Sequence, residues 1–178
     1  DEFLSKPYYG VIEMCRALHG DIIILGVAGK MGPSLALQIK RADEIAGIKR
    51  NIIGVARFSE PQIKKDLESS GIKTISCDLL DRNAVDGLPD VKNVIFMAGM
   101  KFGSSVNQTM TWAMNACVPA FVAIKYKHSN IVALSTGNVY PLVPVASGGS
   151  KETDTVGPIG EYAQSCLARE RVFEYFST

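Results

Sequence analysis

Three glycines stand three residues apart in Ile22-Ile23-Ile24-Leu25-Gly26-Val27-Ala28-Gly29-Lys30-Met31-Gly32, directly after an apolar run and just before a helical pattern. That order has a chemical meaning. Gly26 permits a tight turn out of a strand, Gly29 leaves no side chain to collide with a pyrophosphate, and Gly32 lets the following helix lie close on the strand. The N–H groups of the turn and of the helix start then face an anion, with Lys30 adding a cation and Met31 adjoining it. The expected ligand is a nicotinamide dinucleotide. A two-domain dehydrogenase turn would need glycine where Ala28 stands, and a Walker loop would need four residues between Gly and a Gly-Lys followed by Ser or Thr. The competing reading is that the glycines only serve tight turns in an α/β protein without a nucleotide.

Two further positions bear on which dinucleotide it is. The second strand ends in Ala56-Arg57-Phe58-Ser59, where an NAD enzyme of this architecture usually places an acid for the ribose hydroxyls. Arginine reverses that charge. A guanidinium at position 57, helped by Ser59, suits a 2′-phosphate, so NADP is preferred to NAD. After the third strand come Cys77-Asp78-Leu79, and Asp78 can accept a bond from an adenine amino group or cap a helix.

The elements that must hold these residues follow from the hydrophobic pattern. Short β-branched runs, residues 21–25, 51–56, 73–76, 93–97 and 130–134, alternate with amphipathic segments at 34–46, 60–70, 106–125 and from Pro158 towards Phe176. This rhythm predicts βαβ units and an α/β, Rossmann-type fold: a three-layer, doubly wound parallel sheet of at least five strands. An extra N-terminal helix is expected over Tyr8–Leu18, with Val11, Ile12, Cys15 and Leu18 on one face. Residues 1–20 are thus read as a helical extension and 21–178 as the dinucleotide-binding domain. The stretch 141–157, rich in Pro, Gly, Ser and Thr, reads as a long functional loop.

Composition narrows the partners. The 178 residues are 47% hydrophobic and 21% charged, with a formal net charge of +1. So small a charge argues against nucleic acid. No apolar run reaches the roughly 20 residues needed to span a bilayer, and the first residues are acidic, so a cytoplasmic protein without membrane contact is expected. Cys15, Cys77, Cys117 and Cys166 form no C-x-x-C pair and have no histidines near them, which points to reduced thiols rather than a metal cluster or disulfide framework. His19 and His128 flank strand starts and read as surface residues; Trp112, with Met110 and Met114, reads as packing.

The glycine turn, Asp78-Leu79, the Ala98-Gly99 step after the fourth strand, Asn115 and Ser135-Thr136-Gly137-Asn138-Val139-Tyr140 together resemble the extended short-chain dehydrogenase/reductase family, in particular its NAD-dependent epimerases and dehydratases. The likeness runs from Asp21 to the C-terminus. It implies that Ala98 and Gly99 adjoin the cofactor, that Asn115 orders the active site, and that Thr136, with Ser135 beside it, hydrogen-bonds the reacting oxygen. Gly160-Glu161-Tyr162-Ala163-Gln164-Ser165-Cys166 looks like the family's catalytic helix, which makes Tyr162 catalytic and cofactor-binding. The family's lysine, four residues after the tyrosine, is replaced by Cys166. That lysine lowers the tyrosine pKa and binds the nicotinamide ribose; a neutral thiol does neither. Lys101 or Lys151 could offset the loss, and Cys166 could itself be a packing residue or a nucleophile.

Members of the family normally continue into a C-terminal substrate-binding region beyond the helix of Tyr162, so an open apolar edge is expected beside the fifth strand of these 178 residues, to be covered by a further part of a longer chain or by another subunit. The resemblance also implies a homodimer through the 106–125 and 158–176 helices. Two functions result. One is an NAD(P)-dependent epimerase/dehydratase-like oxidoreductase acting on a small-molecule substrate such as a sugar nucleotide. The other is a dinucleotide-binding regulatory or redox-sensing module with weak or lost catalysis.

Overall fold

A computed structural model describes residues 2–101, 103 and 105–177. Five parallel strands form one sheet: β1 Ile22–Leu25, β2 Ile52–Ala56, β3 Lys73–Ser76, β4 Asn93–Phe96 and β5 Asn130–Ala133, in the spatial order β3-β2-β1-β4-β5. Each strand lies within one residue of its expected bounds. The reason is visible in β1, where all four residues are buried. Ile22 and Ile24 pack with Ala36, Ile39 and Leu67, whereas Ile23 and Leu25 pack with Phe96, Val118 and Val122. Successive side chains of a strand point to opposite faces, so a wholly apolar strand needs cover on both. Each such side chain contributes about 1.5–3 kcal/mol by leaving water. The result is the three-layer, doubly wound Rossmann-type fold.

The helices are α1 Tyr9–Ala17, α2 Gly32–Ala46, α3 Pro61–Ser69, α4 Arg82–Asp86, α5 Gln108–Trp112, α6 Val118–Lys125 and α7 Gly160–Phe176. The N-terminal helix is present and packs on α2. Its carboxyl end is held by Arg50, which donates to the Leu18 carbonyl at 2.8 Å and to the Cys15 carbonyl, while its Nε lies 3.0 Å from Asp43 Oδ2. Burial, followed by the nearby Asp43 carboxylate, pushes the Cys15 thiol up to about 11.

Four boundaries differ from the pattern reading. Helix α2 starts at Gly32 rather than Ser34, because Pro33 fits a first turn that needs no donor. Helix α4 was not expected; it is a single short turn, capped by Asp81, which accepts from the Asn83 and Ala84 N–H groups at 2.9 and 3.2 Å. The segment 106–125 is not one α-helix. It starts at Gln108, behind an Asn107 cap, and passes through a π-helical turn, Ala113–Cys117, between α5 and α6. Pro119 has no N–H to give to the Asn115 carbonyl four residues earlier, so the regular ladder cannot continue there. The last helix begins at Gly160, two residues after Pro158.

Strand β5 stands at the sheet edge, where Val132 is 60% exposed. His19 and His128 are exposed. Among the described residues, no helix is long and apolar enough to cross a membrane.

Candidate active site

The three glycines of the β1–α2 turn have different physical grounds. Gly26 turns at φ 92°, and a β-carbon on it would meet the backbone of Ala98. A β-carbon on Gly32 would come within 1.9 Å of the Val27 carbonyl oxygen. Both positions are therefore dictated by the chain's own packing. Gly29 is not: a β-carbon there meets only the Gly26 carbonyl oxygen, at an ordinary 3.4 Å. Its missing side chain leaves room above the turn for something outside the protein. The turn is closed by bonds from Gly29 N–H to the Gly26 carbonyl and from Gly32 N–H to the Gly29 carbonyl, both 3.1 Å. Among the described residues, the backbone N–H groups of Ala28, Lys30 and Met31 have no partner. Unpaired donors at the start of a 15-residue helix could face an anion.

That turn opens onto a cleft of about 270 Å³ at the carboxyl ends of the strands, where the strand order reverses between β1 and β4. Its walls include eight of the residues expected there: Gly26, Gly29, Arg57, Ser59, Asp78, Leu79, Ala98 and Gly99. Lys30 and Met31 are exposed on the turn and Gly32 is buried under it; none of the three forms part of the wall. The walls also include Phe58, Cys77, Met97 and Met114, which motif spacing did not mark.

Phe58 sits at φ 50°, a left-handed conformation unusual for an aromatic residue, with its ring in the core between two exposed neighbours. That bend presents Arg57 and Ser59 at the cleft while anchoring them. The Arg57 guanidinium makes no ion pair among the described residues. Asp78 Oδ1 accepts from the Leu80 N–H at 3.1 Å, so this carboxylate shapes its own turn, and the helix-capping role belongs to Asp81.

A second group of residues lies behind the cleft wall. The Tyr162 phenol on α7 interacts electrostatically with Thr136, just beyond β5, and with Cys166, one helical turn on; the Thr136 hydroxyl itself donates to Asn138 Oδ1 at 3.1 Å. Burial pushes the Tyr162 phenol up, opposed by Thr136, reinforced by Cys166 and opposed again by the Arg169 charge. Lys101 places its ammonium 5.8 Å from the Tyr162 ring centroid. Asn115, fully buried in the π-helical turn, accepts from Met100 N–H at 2.8 Å and donates to the Met100 carbonyl and to Ser165 Oγ, both at 3.0 Å. It therefore ties the loop after β4 to α7, as a support for the site. Cys166 is fully buried as well. Ser135 is separated from this group: its hydroxyl donates to the Glu170 carboxylate. Trp112, expected as packing, also donates its indole N–H to Glu161 across α5 and α7.

One residue of the cluster carries no motif signal. Arg169 is 6% exposed, donates from Nη1 to the Leu134 carbonyl at 2.7 Å and from Nη2 to Cys166 Sγ at 3.3 Å. A β-carbon on Gly99 would stand 3.0 Å from both Arg169 Nη2 and Asn115 Oδ1. Gly99 is thus the thin wall between the cleft and the Tyr162 cluster.

Fold and site together define a Rossmann-type α/β domain with a glycine turn that presents free N–H groups at a helix start, and with Tyr162 and Thr136 behind it. Solved structures share this fold. The UDP-Glc/GlcNAc 4-epimerase from Campylobacter jejuni superimposes with a TM-score of 0.73 at 22% identity, over 88% of this chain and 49% of that one. WbmG from Bordetella bronchiseptica, solved with NAD and UDP, gives 0.71 at 18% identity, over 88% and 50%. The UDP-glucuronic acid 4-epimerase from Bacillus cereus, solved with UDP-glucuronic acid and NAD, gives 0.71 at 19% identity, over 88% and 52%. The chain spans about half the length of these structures. No protein-family model matches the sequence, and no curated protein matches it.

Proposed function

We propose that the chain is the dinucleotide-binding part of an NAD(P)-dependent epimerase/dehydratase-like oxidoreductase acting on a sugar-nucleotide-type or other hydroxyl or carbonyl substrate. The observation that carries this reading is Gly29, the one glycine of the turn that the protein's own packing leaves free, set among unpaired N–H donors. In this reading the turn residues, including Lys30 and Met31, hold the pyrophosphate. Asp78 and Leu79 border the adenine. Arg57 and Ser59 take a 2′-phosphate, which makes NADP the preferred cofactor, although two of the similar structures were solved with NAD. When bound, the nicotinamide supplies a hydride donor or acceptor. The chain's own residues do the rest: Thr136 and Tyr162 hydrogen-bond the reacting oxygen, and Asn115 and Gly99 hold the wall beside it. The solved structures, at under 25% identity, support this reading through their fold.

A second reading is favoured by one observation, the buried neutral thiol of Cys166 next to a phenol pushed up by burial. Under it the chain is a cytoplasmic dinucleotide-binding module with weak catalysis, acting in regulation or redox sensing. Either reading accommodates a homodimer through the expected 106–125 and 158–176 segments, now α5, the π-helical turn, α6 and α7, which carry exposed Met110, Ile124 and Tyr175.

The test begins with NADPH and NADH binding, followed by fluorescence, in native protein and in Gly29→Glu. Binding that Gly29→Glu abolishes is expected; no binding by native protein overturns both readings. Turnover of UDP-sugars is then compared in native protein, Tyr162→Phe and Cys166→Lys. Native turnover that falls by about 10²–10⁴ in Tyr162→Phe establishes the enzyme, whereas activity gained only in Cys166→Lys establishes the module.

A further inference from the structure

Arg169 holds a charge that the protein does not neutralise. A guanidinium taken out of water needs an anion or a full set of acceptors in exchange. Arg169 has one carbonyl, from Leu134, and one thiol, from Cys166, and its buried Nε has no partner. No ion pair among the described residues includes it. The carboxylate next to it in sequence, Glu170, accepts from Ser135 instead. Tyr162, Cys166 and Arg169 are spaced four and three residues apart on α7, which sets them in a row on one helix face. Along that row the Tyr162 phenol interacts electrostatically with Cys166, and the Cys166 sulfur accepts from Arg169 Nη2 at 3.3 Å.

We propose that Arg169 is a positioning residue of this site: its buried guanidinium supplies the positive charge that stabilises the Tyr162–Cys166 pair after the pair has given up one proton. This rests on the oxidoreductase reading for what the pair does, but not for how it is held. The neutral pair carries two protons, one on phenol oxygen and one on sulfur. When one leaves, the negative charge falls on the oxygen or the sulfur of the pair, and Arg169, donating to the sulfur, faces it. In use, the O–H bond of a substrate hydroxyl breaks, its proton passes to the Tyr162 oxygen, and the electron pair stays on the substrate oxygen. The pair returns to its neutral, two-proton form.

Other charges surround the row. Lys101, from the loop after β4, lies over the Tyr162 ring but is exposed and screened by solvent. Glu170 acts against the Arg169 charge at Cys166. Glu161 is engaged by Trp112 of α5, and the end of β5 contributes the uncharged Leu134 carbonyl and Thr136 hydroxyl. Burial pushes the phenol and the thiol up, and the Arg169 charge pulls both down. Of these charges, only that of Arg169 is both buried and bonded to the pair.

The experiment needs neither nucleotide nor substrate. Protein with isotope-labelled tyrosine rings and arginine guanidinium groups is titrated from neutral to alkaline pH by NMR, with the Tyr162 signal assigned by its loss in Tyr162→Phe. In native protein the Tyr162 and Arg169 signals are expected to change with one shared midpoint. Arg169→Gln is expected to raise the Tyr162 midpoint by at least about one pH unit, and Arg169→Lys to bring it most of the way back. A midpoint unmoved by Arg169→Gln, or moved equally by Gln and Lys, overturns the proposal. If circular dichroism shows Arg169→Gln unfolded, the native protein decides: separate midpoints for Tyr162 and Arg169 overturn it. NADPH binding is measured on the same native samples. A shared midpoint without binding removes the oxidoreductase reading and leaves the role of Arg169, and binding without a shared midpoint does the reverse.

Discussion

Ser135 gives its hydroxyl to the carboxylate of Glu170 on α7, while the hydroxyl of the next residue, Thr136, donates to Asn138 Oδ1 at 3.1 Å and interacts electrostatically with the Tyr162 phenol. The two hydroxyls are adjacent in sequence and belong to different networks. Thr136→Val should therefore remove an interaction with the reacting oxygen or with its tyrosine, lowering kcat by about tenfold or more, as expected for a hydrogen bond of about 1.5 kcal/mol or above. Ser135→Ala breaks an exposed contact and should leave kcat within about threefold. Steady-state kinetics on the two variants decides, and the reverse ranking would transfer the catalytic hydroxyl to Ser135.

The glycine turn predicts a separation of stability from binding. At Gly26 a methyl group meets the Ala98 amide nitrogen at 2.7 Å, in a left-handed backbone at φ 92°. Gly26→Ala should cost at least about 2 kcal/mol of stability. Gly29→Ala meets no such contact. It should change stability by less than about 0.5 kcal/mol and yet weaken dinucleotide binding. Urea unfolding and NADPH titration, run on both variants, check the two halves separately. Equal destabilisation by both would mean that Gly29, too, serves only the fold.

Much of this arrangement could be read from residue order, and what could not has identifiable causes. The strands were legible because runs such as Ile22-Ile23-Ile24-Leu25 are buried on both faces and bounded by turn residues. The cleft was legible because the glycine turn, Arg57, Asp78 and Gly99 each follow a strand end. Helix α4 was hidden by its length, since Arg82–Asp86 is too short to show a helical period. The π-helical turn was hidden because periodicity is blind to a missing N–H at Pro119. Arg169 was hidden for a different reason. In sequence it lies between Ala168 and Glu170 on a helix with other charges, and only the approach of Leu134 and Gly99 makes it a buried cation.

Arg57 should distinguish the cofactors. It lines the cleft, is exposed, and makes no ion pair among the described residues. A guanidinium meeting a 2′-phosphate contributes about 1.5–3 kcal/mol, so Arg57→Ala should weaken NADPH binding by about tenfold or more. NADH binding should change by less than about threefold, and the NADPH effect should shrink at high salt. Calorimetric titration with both nucleotides reads this directly; equal weakening of the two would return the position to NAD or to solvent.

Asp21 sits at the mouth of β1, where the Asn51 backbone N–H donates to its Oδ1 at 2.8 Å and the Asn51 side chain to its Oδ2 at 2.7 Å. These bonds, the side-chain one first, hold the Asp21 carboxyl below the usual carboxylate range. The folded protein therefore takes up this proton less readily than the unfolded chain. The carboxylate's contribution to stability is present above the unfolded value of about 3.9, and is lost as pH falls from there through the lower folded value. Asp21→Asn cannot ionise and should lack that dependence. In urea, native protein should unfold at higher concentration than Asp21→Asn at about pH 6, and the gap should narrow towards pH 3. The remaining carboxylates titrate alike in both proteins and cancel in the comparison. A gap that stays constant or widens in acid would show that the Asn51 bonds do not favour the ionised form, and that this junction of β1 and β2 is held by packing alone.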